Sequence, residues 1–416
     1  MSFAMTKDLE TQTPEESLAA SALGTAKDRE QILSLGVGGN SVLTPATFTF
    51  WRGRVALYAI LKSLGIGPGD SVLVPGFTCF AVPAAVIFAG ARPLYVDIDR
   101  DTFNISPSAL QSIWNEHAGE NIKAILIQHT YGLPANLVPI IAWAGEHGIA
   151  TIEDCAHAWG SRYRDHGGEW MDVGTAGDAA FFSSQWTKPV STGLGGWAAA
   201  HDPVLALRLR RFYESECLAP SPTETAALAV QVAVRGMFSS SWAHWTARSV
   251  YQRLYRRGLA VGTSTPAELQ GKMPPRFAKR MSAFQRWLLR KRLAKTSIQT
   301  RRRDLKSFYD AALQTAGLPT FHIPSYADPV LLRYPVRVRN KKQALAEAER
   351  RRIEIGDWYA HPVDLPEGLA ADVFAYRQGM CPEGERAARE VVNLPMHSSV
   401  TDKIASHAVG LLKEFA

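Results

Sequence analysis

Cysteine is scarce in this chain of 416 residues: Cys79, Cys155, Cys217 and Cys381 stand far apart, with no Cys-x-x-Cys pair and no metal-ligand spacing. That argues against a disulfide framework or a zinc site, and four reduced thiols are expected. No apolar run reaches about 18 residues, the least that a spanning helix requires. The first residues, MSFAMTKDLETQTPEESLAA, have neither the basic start nor the apolar stretch of an export signal. A cytoplasmic protein is expected. The glycine-rich GVGG at Gly36 to Gly39 lacks a preceding strand and the spacing of a dinucleotide fingerprint, so it reads as a loop.

What is present is apolar bulk and an uneven charge. Hydrophobic residues make up 46% of the chain, enough for a large core spread over two or three domains. The net charge of +7 is concentrated: Trp242 to Lys306 holds seventeen Lys or Arg against only Glu268 and Asp304. The rest of the chain is therefore net acidic. Within the basic block, Ser241 to Gly258 sets Trp242, Trp245, Val250, Leu254 and Tyr255 near one helical face, with Arg248, Arg253 and Arg256 largely elsewhere. Such a helix either packs on a domain or dimer surface or lies on an anionic membrane. No nucleic-acid contact is expected, because no helix-turn-helix, zinc or RNA-binding motif accompanies the charge.

Between Arg52 and Arg211, short β-rich apolar runs alternate with helical patterns. The runs are Ser71 to Pro75, Pro93 to Ile98, Lys123 to Gln128, Ile149 to Asp154, Ala179 to Ser184 and Gly196 to Ala200. This rhythm predicts an α/β fold with a mainly parallel sheet. A first helix is expected near Gly53, from the spacing of Val55, Leu57, Ile60, Leu61 and Leu64, and another after Thr78. Residues 214–277 break the rhythm and read as an insertion. A long basic helix (Met281 to Ala312), a strand in PVLLRYPVRVRN and helices at Lys341 to Arg352 and Thr401 to Glu414 complete the expected pattern. The expected layout is an N-terminal extension over 1–45, a large domain over 46–315 and a smaller C-terminal α+β domain over 316–416.

In open α/β sheets, ligands bind beyond the carboxyl ends of the strands. Three runs end in reactive residues: one in Glu153-Asp154, followed by Cys155-Ala156-His157; one in His129; and one in Ser183-Ser184, with Lys188 close behind. Pyridoxal 5'-phosphate (PLP) chemistry needs a lysine to bind the aldehyde covalently and a carboxylate to keep the pyridine nitrogen protonated. Lys188 and Asp154 fit those roles. Ser183 is placed for the cofactor phosphate, and the glycines of Thr192 to Gly196 allow a tight return to the sheet. Taken singly, a lysine before a proline is an ordinary surface residue, and a strand-terminal aspartate an ordinary helix cap. Together they point to a cofactor site.

These segments closely resemble the DegT/DnrJ/EryC1/StrS family of sugar aminotransferases. The resemblance is carried by Val74 to Asp99, Glu153 to Ser161 and Gly177 to Gly196, and more weakly by Arg280 to Leu293, Arg301 to Leu313 and Val391 to Val409. It implies the type I PLP-dependent transferase fold, a homodimer with sites at its interface, PLP as cofactor, an amino donor such as glutamate and a keto group on a nucleotide-linked sugar. Lys188 then carries the cofactor, Asp154 faces the pyridine nitrogen, His157 lies near the ring and Ser183 holds the phosphate. A branch of the family with histidine in place of this lysine deoxygenates sugars, so Lys188 argues for transamination.

The chain departs from the family where a Gly-Thr pair usually meets the phosphate. It has Gly53-Arg54, so a guanidinium is expected there. The position of the ring-stacking aromatic holds Cys79, with Phe80 next to it, and Ala278 stands near the Asn that usually reaches across the dimer. PLP enzymes of another reaction type and a regulatory or binding protein that keeps the fold are the alternatives.

Overall fold

The computed structural model describes residues 46–237, 263–294, 297–365 and 371–415. The expected N-terminal extension, with its GVGG loop, and the basic helix of Ser241 to Gly258 lie outside the described residues.

The chain enters through β1 (Thr47–Phe50), α1 (Gly53–Ser63), β2 (Asp70–Pro75), β3 (Thr78–Cys79), α2 (Ala81–Ala89) and β4 (Arg92–Val96). It continues through α3 (Pro107–Glu116), β5 (Asn121–Gln128), α4 (Leu137–Glu146), β6 (Ala150–Asp154), β7 (Arg162–Arg164) and β8 (Trp170–Asp172). Next come β9 (Ala179–Ser183), β10 (Gly196–Ala200), α5 (Pro203–Ser215), α6 (Pro222–Met237) and the short α7 (Pro266–Leu269). Seven strands form the main sheet in the order β1-β10-β9-β6-β5-β2-β4. Six share one direction; β10 alone runs against them, pairing antiparallel with both β1 and β9.

Alternate residues explain why these strands read as unbroken apolar runs. Val72 and Val74 of β2 pack into one core with α1, α2 and α5, while Leu73 packs into a second core with α3 and α4. Burial on both faces leaves no polar side to the strand. Each fully buried Leu or Ile contributes roughly 1.5–3 kcal/mol.

The long basic helix expected over Met281 to Ala312 is two helices, α8 (Ala283–Leu293) and α9 (Ser297–Thr315). A capping box starts α8: the Ser282 hydroxyl accepts the Gln285 N–H, and the Gln285 side chain accepts the Ser282 N–H. The chain then forms β11 (Ala327–Asp328), β12 (Arg333–Arg337), α10 (Lys341–Arg351), β13 (Val363–Asp364), α11 (Pro382–Glu390), β14 (Val391–Pro395) and α12 (Asp402–Leu412). Leu305, Tyr309 and Leu313 of α9 pack in one core with Tyr334, Val392, Leu394 and Val409. Among the described residues, no helix is long and apolar enough to cross a membrane.

Candidate active site

Asp154 ends β6, which lies parallel to β9 with Asp154 opposite Phe181. Its Oδ1 accepts the Ala156 N–H at 2.9 Å, so the carboxylate is fixed just where the strand turns away. Burial raises its pKa, against that hydrogen bond and the charges of Lys188 and His129. The adjacent Glu153 points the other way. Its oxygens accept N–H bonds from Gly174, Ala176 and Gly177 at 2.7 to 2.9 Å and meet His129 Nε2 at 3.1 Å. Because His129 Nδ1 accepts the Ala135 N–H, Nε2 carries the proton and donates it to Glu153. His129, Glu153 and Cys155 cluster closely enough to enclose a cation, but this carboxylate is already saturated with donors.

Lys188 sits in a loop closed at its neck. Ser184 N–H donates to the Gly195 carbonyl at 2.9 Å, Thr192 N–H donates to the Ser184 carbonyl at 2.7 Å, and the two hydroxyls lie 2.7 Å apart. Gly195 has φ 147°, and a Cβ there would stand 2.3 Å from Ser184 Oγ, so only glycine closes this neck. The Lys188 amine lies 4.9 Å from the centre of the Trp358 ring. Burial lowers its pKa to about 8, with Asp154 pulling it up and Arg333 and Arg54 pushing it down.

His157 is buried beside this amine. Its ring stacks on Trp358 at 5.3 Å and 19°, Nε2 lies 3.4 Å from the Tyr359 hydroxyl, and Nδ1 has no partner. Burial first, then the charges of Lys188 and Arg333, holds its pKa well below the usual value. It is a neutral ring at neutral pH.

The N-terminus of α1 is pressed against the end of β9: a Cβ on Gly53 would lie 2.9 Å from that of Ser183. Arg52 and Arg54 flank it. Arg54 donates to Glu268 at 2.8 Å, to the Thr263 carbonyl at 3.0 Å and to Ser264 Oγ at 3.1 Å. Arg52 reaches the other oxygen of the same buried carboxylate at 3.1 Å. Arg54 is thus held by α7, and it acts on the pocket through its charge rather than as a free fork. Cys79, at the end of β3, pairs with Asp364 of β13; burial raises its thiol pKa, while the nearby charges of Arg54 and Lys188 lower it.

The seven residues read from the sequence therefore gather around the ends of β6 and β9 and the start of α1. The pocket also contains residues that the sequence reading passed over: Glu268 from α7, and Trp358, Tyr359 and Arg333 from the C-terminal part. Trp358 is fixed by its N–H to Asn393 Oδ1 at 2.7 Å and by its carbonyl, which accepts the Tyr131 hydroxyl. It brings an aromatic face to a site whose stacking position holds Cys79.

A family model described as the DegT/DnrJ/EryC1/StrS aminotransferase family matches residues 35–235 and 249–413. MosB of Rhizobium meliloti is 38% identical over 193 residues, which span 46% of this chain and 35% of MosB. A pleiotropic regulatory protein of Geobacillus stearothermophilus is 27% identical over 88% of this chain and 83% of its own length. A UDP-2-acetamido-2-deoxy-3-oxo-D-glucuronate aminotransferase of Pseudomonas aeruginosa is 27% identical over 83% of this chain and 79% of its own. Among solved structures, Spr1654 of Streptococcus pneumoniae in its PLP form superimposes with a TM-score of 0.67 at 20% identity, covering 97% of this chain and 96% of that one.

Proposed function

Since this chain belongs to the DegT/DnrJ/EryC1/StrS aminotransferase family, whose enzymes work with PLP, we propose that it moves an amino group from a donor such as glutamate to a keto group of a nucleotide-linked sugar. Lys188, Asp154 and His157 serve as its catalytic residues. The single observation that carries this reading is that the Lys188 amine, the Asp154 carboxylate and an unpartnered His157 nitrogen share one buried pocket. An orphaned polar atom in such a place costs about 1–3 kcal/mol unless a ligand satisfies it. The pocket fits PLP.

When bound, PLP supplies an electron-accepting ring that stabilises negative charge on the donor carbon. Lys188 would hold the cofactor and, through its free Nζ, carry the proton that the reaction moves. At pH 7.5 a lysine of pKa about 8 is roughly a quarter neutral, whereas an ordinary lysine is neutral on the order of one part in a thousand. Asp154 would keep the ring nitrogen of the bound cofactor protonated. His157, kept neutral, orients the ring without adding a competing charge, and Cys79 lines the wall beside it. Ser183 and the start of α1 would receive the phosphate, where the helix dipole favours an anion; Arg54 adds positive charge.

The sugar substrate is supported by the Pseudomonas relative, whose name states a UDP-linked keto sugar acid. A homodimer in the cytoplasm, with sites at the interface, belongs to the same proposal. The regulatory name of the Geobacillus relative keeps a second reading in view, which the presence of both Lys188 and Asp154 disfavours. The test is the donor half-reaction. Added to the PLP-loaded protein without an acceptor, L-glutamate is expected to abolish the visible or near-ultraviolet band and to release 2-oxoglutarate in equal amount. An unchanged band, or release of carbon dioxide or ammonia instead, would contradict transamination.

A further inference from the structure

The Lys188 nitrogen lies over the Trp358 ring, 4.9 Å from its centre, inside the range of about 6 Å over which an aromatic face attracts an ammonium. That ring is held from several sides. Its backbone N–H donates to Asn393 Oδ1 at 2.7 Å, and Gly356, two residues earlier, exchanges backbone hydrogen bonds with the same Asn393 at 2.7 and 3.0 Å. Asn393 is fully buried. The Trp358 carbonyl accepts the Tyr131 hydroxyl, and the indole stacks on His157 at 5.3 Å and on Tyr359 at 5.9 Å. Trp358 is a fixed platform.

The charged groups around the amine come from several elements. Asp154 at the end of β6 and Cys79 at the end of β3 favour its protonated form; Arg333 of β12 and Arg54 of α1 oppose it, and burial opposes it most. His157, after β6, is kept neutral. Arg333 lies 4.9 Å from the centre of the same ring, and Glu354 favours its charge. An ammonium at Lys188 is therefore costly in this pocket, and the Trp358 face offsets part of that cost without adding an anion.

Amino transfer requires the displaced lysine in both forms. As a base it takes a proton from the donor carbon: a C–H bond breaks, an N–H bond forms at Nζ, and the electron pair stays with the carbon. As an acid it gives the proton back, to the cofactor carbon, and the N–H bond breaks. Between these events the side chain is an ammonium inside the protein.

Resting on the aminotransferase reading above, we propose that Trp358 is a positioning residue for Lys188: its ring receives the amine that the donor displaces and stabilises it as an ammonium while it carries the proton. Asn393 acts one step further out, by fixing the segment that presents the ring.

The experiment uses full-length protein with Trp358→Leu, which removes the aromatic face, and Trp358→Phe, which keeps one. On cofactor-free protein, the rate of PLP capture is followed against pH. Wild type is expected to pass its midpoint near 8, Trp358→Leu about half a unit to one unit lower, and Trp358→Phe close to wild type. On PLP-loaded protein, L-glutamate is expected to react on the order of tenfold more slowly with Trp358→Leu, with a larger isotope effect from α-deuterated L-glutamate and with PLP affinity unchanged by fluorescence. A merely structural role would lower PLP affinity and leave the midpoint in place. If Trp358→Leu does not fold, the tryptophan fluorescence of cofactor-free protein decides: it is expected to titrate near pH 8 in wild type and to lose that step in Lys188→Met. No such step, or a Trp358→Leu midpoint that stays in place or moves upward, overturns the inference while the donor half-reaction of wild type still stands. A wild type that captures no PLP overturns the aminotransferase reading, and this inference with it.

Discussion

Glu153 and Asp154 are neighbours in sequence and opposites in environment. Glu153 is saturated by three backbone N–H groups and the His129 ring, which hold its carboxyl below its ordinary pKa against burial. Asp154 keeps one such bond and is raised by burial. Strand alternation turns one side chain into the protein and the other into the pocket.

The two carboxylates should therefore fail differently. Asp154→Asn retains the acceptor for Ala156 N–H, so folding and PLP uptake should persist while the L-glutamate half-reaction slows by on the order of 10²-fold or more. Glu153→Gln should unfold at lower temperature, because an amide cannot accept all of these bonds and breaking a buried charged network costs about 3–5 kcal/mol. Thermal melts and stopped-flow absorbance on both variants check this. A stable Glu153→Gln protein beside an unfolded Asp154→Asn protein would reverse the assignment.

Strand-end chemistry was legible because it is local. The apolar runs from Val72 to Val74 and from Ala124 to Ile127 are buried on both faces, which leaves a continuous signature, and their polar terminators stand out against it. The edge strand Thr47–Phe50 has no such contrast and passed unread, as did the break between α8 and α9. Trp358, Tyr359 and Arg333 are far in sequence from the groups they meet; the contact between His157 and Tyr359 spans 202 residues. No periodicity or motif marks residues that only the tertiary fold brings together. Glu268 was hidden differently: its capping box with Thr265 looks like an ordinary helix start, and its second duty to two arginines shows only in three dimensions.

That duty predicts a stability effect. Glu268 is fully buried between Arg52 and Arg54, whose charges hold its carboxyl pKa low despite burial. Glu268→Ala leaves both guanidiniums without that carboxylate and should cost about 3–5 kcal/mol, read from denaturant midpoints. Because the folded pKa lies below the unfolded one, the stabilisation is present above the ordinary glutamate value and is lost as pH falls through the folded value. The gap between wild type and variant should therefore narrow in acid.

The Lys188 amine supplies a pH test. With its pKa lowered to about 8 by burial, the rate at which cofactor-free protein captures PLP should rise with pH, pass its midpoint near 8 and level off above. An ordinary lysine would keep the rate rising toward pH 10.

Gly53→Ala tests the phosphate cradle. The added methyl meets Ser183 Cβ at 2.9 Å, so the start of α1 must move away from the end of β9. PLP affinity should fall by about tenfold, roughly 1.4 kcal/mol, and the cofactor-free protein should melt at a lower temperature, because overpacking of this kind costs about 1–3 kcal/mol. Fluorescence titration with PLP reads the first, and a thermal melt the second.

The most direct measurement is chemical trapping. The protein is loaded with PLP, reduced with borohydride, digested and mapped by mass spectrometry. The expected result is a phosphopyridoxyl group on the peptide containing Lys188 and its absence from Lys188→Ala; the group on another lysine, or no covalent label on wild type, would contradict the assignment.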